Sequence, residues 1–285
     1  MRWLVCYFSG TGNTQKIAGL WSDALRKSHA ETQLWPIEQG DTEIMDADHL
    51  ALLWPVYAFN APWFVRDWVE RLPEAKKDVT LISVSGEPLT LNMASSCTLE
   101  KLLKRKGYRI DGRYNYVMPY SIMFRYSDER VWRLWQAAKA LVPVDVEEVL
   151  EGKGRTGTVT PWQKLATGIL RIESWGGRFN GRFYSVDTRK CVKCKKCVAH
   201  CPVHNISWGR NDRPTFGKRC LMCQRCAMYC PGDAISIGLF ARWKVNGPYS
   251  FQKPTAPQKQ AHAWYCKNAF DRYFQEVSRR TGKIH

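Results

Sequence analysis

Eight of the eleven cysteines fall into two runs of identical spacing. Cys191-x2-Cys194-x2-Cys197-x3-Cys201 is followed at once by Pro202, and Cys220-x2-Cys223-x2-Cys226-x3-Cys230 by Pro231. Three thiols this close on one loop converge on a single inorganic centre. A proline directly after the fourth turns the chain away and leaves no amide donor unpaired there. Paired C-x2-C motifs also make tetrahedral zinc sites, but zinc rarely uses three evenly spaced cysteines before Cys-Pro, and a second copy of that pattern favours iron–sulfur cubes. Disulfides are not expected, because intracellular thiols are kept reduced. The apolar opening Met1–Phe8 runs straight into Ser9-Gly10-Thr11-Gly12, too short for a signal-peptide core and without a cleavage site. No apolar run approaches the roughly 20 residues of a membrane-spanning helix. The expectation is a cytoplasmic protein.

At 285 residues the chain predicts two domains and a connector. Over the first half, strand and helix signals alternate in the α/β manner. Strands are expected at Arg2–Phe8, Thr32–Ile37, His49–Val56, Asp78–Ser85 and Tyr114–Met118. Helices are expected from about Thr14 to Ser28, from Pro62 to about Leu72, over Leu99–Lys106 and over Asp128–Leu141. Five strands with intervening helices suit an open parallel doubly wound sheet, which binds ligands beyond the carboxyl ends of its strands. The pattern breaks near Gly152. The expected division is 1–152, a connector 153–185 holding one short helix (Trp162–Ile172), a cysteine block 186–240, and a tail 241–285. That tail is expected to be helical over His262–Arg279 and docked through Trp264, Phe270, Tyr273, Phe274 and Val277.

Between the first strand and the first helix lies Ser9-Gly10-Thr11-Gly12-Asn13-Thr14. Glycines let this loop curl with its amides inward, hydroxyls add donors, and the following helix presents its positive end, so a phosphate is held without lysine. Neither the triphosphate-binding nor the NAD-binding glycine signature is present.

The loop resembles the flavodoxin signature for the phosphate of FMN, and the cysteine block resembles the bacterial two-cluster ferredoxin. The whole is similar to flavodoxin–ferredoxin fusion proteins: a flavodoxin-like five-stranded parallel α/β domain plus a small α+β domain with two 4Fe–4S clusters. The resemblance implies one cluster on Cys191, Cys194, Cys197 and Cys230, and another on Cys220, Cys223, Cys226 and Cys201. It implies that the loops after the third strand (Pro55, Val56, Tyr57, Ala58, Phe59, Asn60) and the fourth (Ser85, Gly86) flank the flavin ring, with Tyr57 and Phe59 as ring contacts. Met118-Pro119-Tyr120 could border the same pocket.

The formal charge of +17 is uneven: residues 1–150 carry 18 Lys/Arg against 19 Asp/Glu, whereas residues 151–285 carry 25 against 7. Flavodoxin carriers are commonly acidic, so this chain departs from them. The basic residues about the cysteines (Lys193, Lys195, Lys196, Lys218, Arg219, Arg225) are expected to dock an acidic ferredoxin-like redox partner. A small-molecule acceptor such as a quinone or nitro compound is the other expected partner. No acid–base or nucleophilic constellation stands out, and the six histidines show no metal spacing, so no protein group is nominated as catalytic. The expected role is an FMN and iron–sulfur oxidoreductase, with a pure electron-carrier subunit as the alternative. A basic nucleic-acid-binding iron–sulfur protein has no supporting motif.

Overall fold

The computed structural model describes residues 1–40, 46–170, 172–256 and 266–282. Strands β1 (Arg2–Tyr7), β2 (Glu31–Pro36), β3 (His49–Pro55), β4 (Asp78–Ser85) and β5 (Arg109–Val117) form one parallel sheet in the order β2-β1-β3-β4-β5. Side chains alternate across a strand. In β1, Trp3, Val5 and Tyr7 enter one apolar core while Leu4, Cys6 and Phe8 beside them enter the other. Helices α1 (Asn13–Lys27) and α4 (Asp128–Leu150) cover the first face, and α2 (Trp63–Arg71) and α3 (Cys97–Arg105) the second. This is the doubly wound order whose switch point lies between β1 and β3.

Two elements outrun their sequence expectation. Strand β5 begins at Arg109 rather than Tyr114, because its polar residues are paired at the sheet edge. Arg109 forks onto Asp78 at 2.6 Å, and Arg113 meets Glu100 at 2.6 Å. Helix α4 passes through Pro143 to Leu150 instead of stopping at Leu141. Val146 and Val149 stay buried beyond the proline, and that burial outweighs the one backbone hydrogen bond it forfeits.

The connector forms two helices, α5 (Pro161–Ile169) and α6 (Ile172–Asn180), where one was expected. Strand β6 (Tyr184–Val186) pairs antiparallel with β9 (Ile235–Ile237), and β7 (Ile206–Trp208) with β8 (Pro214–Phe216). Short helices α7 (Lys196–Ala199) and α8 (Arg225–Met228) carry the third cysteine of each run. Helix α9 (Lys267–Thr281) buries Phe270, Phe274 and Val277 in the core under α4, and Arg280 meets Asp145 at 2.6 Å and Glu148 at 2.8 Å. The expected start of the tail helix, His262 to Tyr265 with Trp264, lies outside the described residues.

The two lobes share apolar packing. Val203 and Leu221, which follow cysteines of the small lobe, sit in the same core as Leu4, Phe8 and Trp63.

Candidate functional site

The loop after β1 is shaped at every residue. Gly12 takes φ 93°, left-handed backbone that suits glycine, immediately before α1. The Ser9 hydroxyl accepts from the Gly12 amide at 3.1 Å, Thr11 Oγ1 contacts Ser121 Oγ at 2.5 Å, and Asn13 Nδ2 donates to the Pro119 carbonyl at 2.7 Å. Thr14 Oγ1 is buried with no partner. A buried hydroxyl without a partner costs about 1–3 kcal/mol, so its presence at this helix start fits an anion held there.

A cavity of about 490 Å³ opens beside the loop, a size typical of small-molecule sites. Of the residues expected from sequence, Ser9, Gly10, Thr11, Asn13, Thr14, Pro55, Val56, Tyr57, Ala58, Phe59, Ser85 and Gly86 line it. Gly12 and Asn60 do not. Gly12 shapes the loop, and buried Asn60 bonds Ala58 O at 3.0 Å and Thr167 O of α5 at 3.1 Å. Tyr57 and Asn60 exchange both backbone hydrogen bonds at 2.9 Å around Ala58 (φ 43°) and Phe59 (φ 62°). Two successive non-glycine residues in left-handed backbone are strained, and such strain collects at ligand sites. At Gly86 the Tyr120 ring lies where a side chain would be: a Cβ there would meet Cδ1 at 2.2 Å. The arrangement has hydroxyls and amides at one end and aromatic and aliphatic walls elsewhere, which fits a phosphate-bearing aromatic ligand.

Sequence reasoning missed Leu89, Asn92, Ser121, Ile122, Met123 and Met222 among the lining residues, and Glu87, in the loop after β4, joins them. Glu87 is buried, Oε2 has no partner, and burial pushes its carboxyl from 4.5 up to about 7. A folded-state value raised above the unfolded one contributes stability below about pH 4.5 that is lost as pH rises through about 7. Asp145, pushed up to about 6 mainly by burial, acts in the same direction. Without added ligands the protein is therefore expected to be less stable at pH 8 than at pH 5. Glu87→Gln should remove up to about 3 kcal/mol of that difference in urea unfolding. An unchanged slope would reject the raised carboxyl.

The two cysteine loops repeat one backbone shape. Lys193, Lys195 and His204 in the first and Met222, Gln224 and Asp233 in the second occupy matching positions, all with φ between 49° and 62°. Amides of Met222, Asn205 and Ala234 donate to the sulfurs of Cys220, Cys201 and Cys230 at 3.3, 3.2 and 3.3 Å. Burial pushes the Cys223 thiol up to about 12, so a thiolate there needs a cation beside it. Among the described residues, the one group with three or more ligand atoms within 4.8 Å of each other is His49, Asp78 and Asp111. No three cysteine sulfurs are that close. Tetrahedral zinc with 2.3 Å bonds sets its sulfurs ~3.8 Å apart, so the loops are too open for zinc and suit a larger inorganic core. The His49 group lies at the amino ends of β3 to β5, away from the cavity, with Asp78 held by Arg109 and His49 Nε2 at 2.8 Å from Asp111.

The second cysteine loop is built against the first-strand loop. A Cβ on Gly10 would come within 2.6 Å of the Cys223 carbonyl oxygen and 2.5 Å of the Tyr57 hydroxyl. Arg225, between Cys223 and Cys226, does not face solvent to receive a partner, as its sequence position suggested. It forks onto Glu38 at 2.7 and 2.5 Å and donates to the carbonyls of Gly10 (3.0 Å), Ser9 (2.5 Å) and His200 (3.1 Å). The Tyr229 hydroxyl donates to Thr11 O at 2.8 Å. In a trans peptide the carbonyl and the next amide point opposite ways. Drawing the Ser9 and Gly10 carbonyls toward Arg225 therefore turns the amides of Gly10 and Thr11 away from it.

Residues 190–235 match the family model described as a 4Fe–4S dicluster domain. No curated protein matches the chain. Among solved structures, the chain is similar to a Fusobacterium nucleatum flavodoxin bound to flavin mononucleotide, with 20% identity and a TM-score of 0.33 over 39% of this chain and 69% of that one. It is also similar to flavodoxin 1 from Bacillus cereus, with 13% identity and a TM-score of 0.38 over 53% and 98% of the two chains. A third likeness is to rubredoxin oxygen:oxidoreductase from the anaerobe Desulfovibrio gigas, with 14% identity and a TM-score of 0.38 over 53% and 36%. The strand order β2-β1-β3-β4-β5 is that of a flavodoxin-like doubly wound sheet, and residues 190–235 of the small lobe match a 4Fe–4S dicluster domain.

Proposed function

We propose that the chain is an electron-transfer flavoprotein in which two 4Fe–4S clusters exchange single electrons with one FMN. The observation that carries this reading is the junction between Gly10 and Cys223, which sets a cysteine loop directly on the loop at the cavity. One cluster is assigned to Cys191, Cys194, Cys197 and Cys230, and the other to Cys220, Cys223, Cys226 and Cys201. FMN is assigned to the 490 Å³ cavity, with its phosphate on Ser9–Thr14 and its ring between the 55–60 and 85–86 loops. The division 1–152, 153–185, 186–240 and 241–285 is retained for the flavin domain, connector, cluster domain and docked tail.

Flavin exchanges electrons singly or in pairs, so its presence lets one-electron flow support two-electron chemistry. The chain's own residues position and exclude. The Ser9, Thr11 and Thr14 hydroxyls and the loop amides hold the phosphate. Val56, Leu89 and Met222 line the cavity and keep water from its apolar part.

The second cluster's loop lies at the cavity, since Met222 is among the lining residues. The first cluster's loop is open to solvent: Cys194 is exposed, as are Lys193, Lys195 and Lys196 around it. An acidic donor would dock there, with Lys218 and Arg219 also exposed. Its reduction rate should fall roughly tenfold between low and high salt. A salt-indifferent rate would remove the docking role.

Anaerobic purification with iron, sulfide and flavin quantification tests the assignment. About eight irons, about eight sulfides and one FMN per chain are expected. Colourless material, or zinc in place of iron, would refute it.

A further inference from the structure

Helix α5 is built inside out. A surface helix ordinarily turns its large apolar side chains inward. Here the buried positions are Ala166 and Thr167, while Trp162, Leu165 and Ile169 point outward at 69%, 61% and 61% exposure. Spacings of three and four put these three on one side of the helix. Polar contacts hold the helix in this attitude. Thr160 and Gln163 form a reciprocal cap, Pro161 opens the first turn, and the Asn60 side chain donates to Thr167 O.

A second exposed apolar patch follows in the same connector. The Phe179 and Phe183 rings meet edge to face at 5.2 Å. Asn180 between them donates to Ile237 O at 3.0 Å and accepts from Leu239 N at 2.8 Å, which brings Leu239 alongside. Phe179, Phe183 and Leu239 are 54%, 46% and 65% exposed. Exposed cations stand beside both features in the chain: Lys164 in α5, Arg178 and Arg182 next to Phe179 and Phe183, and Arg242 close after Leu239. The stretch 161–183 contains four basic residues and a single acid, Glu173.

We infer that the outer face of α5, together with the Phe179–Phe183–Leu239 patch, docks the protein on an anionic lipid surface. An apolar face bearing tryptophan, flanked by lysine and arginine, lies in the interfacial plane with its apolar groups among the acyl chains and its cations among the headgroups. No helix among the described residues is long and apolar enough to cross a membrane, so the contact is peripheral. Charge selects this occupant. A second copy of the chain would bring the same cations against itself. The 25 basic residues against 7 acidic ones over residues 151–285 suit an extended anionic sheet, for which each cation near the surface adds attraction. This inference is independent of the flavin assignment.

The test is anaerobic co-sedimentation of the cofactor-loaded full chain with phosphatidylcholine vesicles, with or without ~30% phosphatidylglycerol. The protein should pellet with the anionic vesicles and remain in solution with the neutral ones. The triple variant W162S/L165S/I169S should lose about a hundredfold in partition coefficient. Its iron content, flavin content and melting temperature should stay unchanged, because the three side chains are exposed. K164Q/R182Q, and separately about 0.5 M salt, should each weaken binding several-fold. Failure to pellet with anionic vesicles would overturn the inference, as would undiminished binding by the triple variant. A dimer, or saturable binding to an acidic ferredoxin, that the triple variant abolishes while vesicles bind neither form would give the face to a protein and overturn it equally.

Discussion

Replacing Arg225 by alanine is expected to weaken FMN binding at least tenfold and to destabilise the junction between the lobes by about 2–3 kcal/mol. The side chain has five N–H donors in a rigid fork, and the structure uses them on Glu38 and on the carbonyls of Ser9, Gly10 and His200. Removing it strands a carboxylate that is only 22% exposed and frees two loop carbonyls to turn inward. The loop amides then lose the direction that a phosphate requires. Full burial would make the loss about 3–5 kcal/mol, and the lower figure allows for the water that still reaches the pair. Arg225→Lys should recover little, because a point charge cannot fork to a carboxylate and two carbonyls together. Flavin fluorescence titration gives the affinity, urea unfolding gives the stability, and iron content serves as the control. Wild-type affinity in the alanine variant would show that the phosphate loop holds its shape unaided.

The second large effect is expected from Cys226→Ser. The small lobe's own apolar cluster is small: Tyr184, Ala227, Ile235 and Ile237, packed with Cys197, Cys220, Cys226 and Cys230. So small a core does not hold a domain of this length without a metal centre, and metal binding then becomes folding energy. The variant should retain at most about half of the iron and become cleavable by protease between residues 186 and 240. It should also bind FMN more weakly, although no flavin-lining residue is altered, because α8 delivers Arg225 and Tyr229 to the phosphate loop. The five-stranded sheet, with its own two cores, should persist by circular dichroism. A variant that stays protease-resistant with full flavin affinity would separate the two lobes energetically and defeat the coupling.

Local signals made much of the fold legible. Apolar runs in β1 and β3 announce strands buried on both faces, and the expected bounds of β4 match the observed ones to the residue. Strand β5 was read short because its polar edge looks like a loop until Asp78 and Glu100 are placed beside it. The expected end of α4 at Leu141 falls two residues before Pro143, since local rules penalise proline and cannot weigh the buried valines beyond it. At the site, the Gly/Ser/Thr loop and the aromatic turn were found from their own chemistry. Met222 was not, because it belongs to a cysteine loop distant in sequence, and the raised carboxyl of Glu87 is marked only by its burial.

The expected ligand chemistry comes from the sequence alone. Thiol spacing, loop glycines and alternating hydrophobicity act within a few residues, and short-range sterics carry that information. Tertiary structure decided which groups meet. Arg225 was assigned by its neighbours to a docking surface, yet packing turns it inward onto Glu38 and the first loop. α5 could be read as a helix, but not as one exposing its largest apolar residues. Contacts between residues some two hundred positions apart depend on how whole elements pack, and no local pattern encodes them.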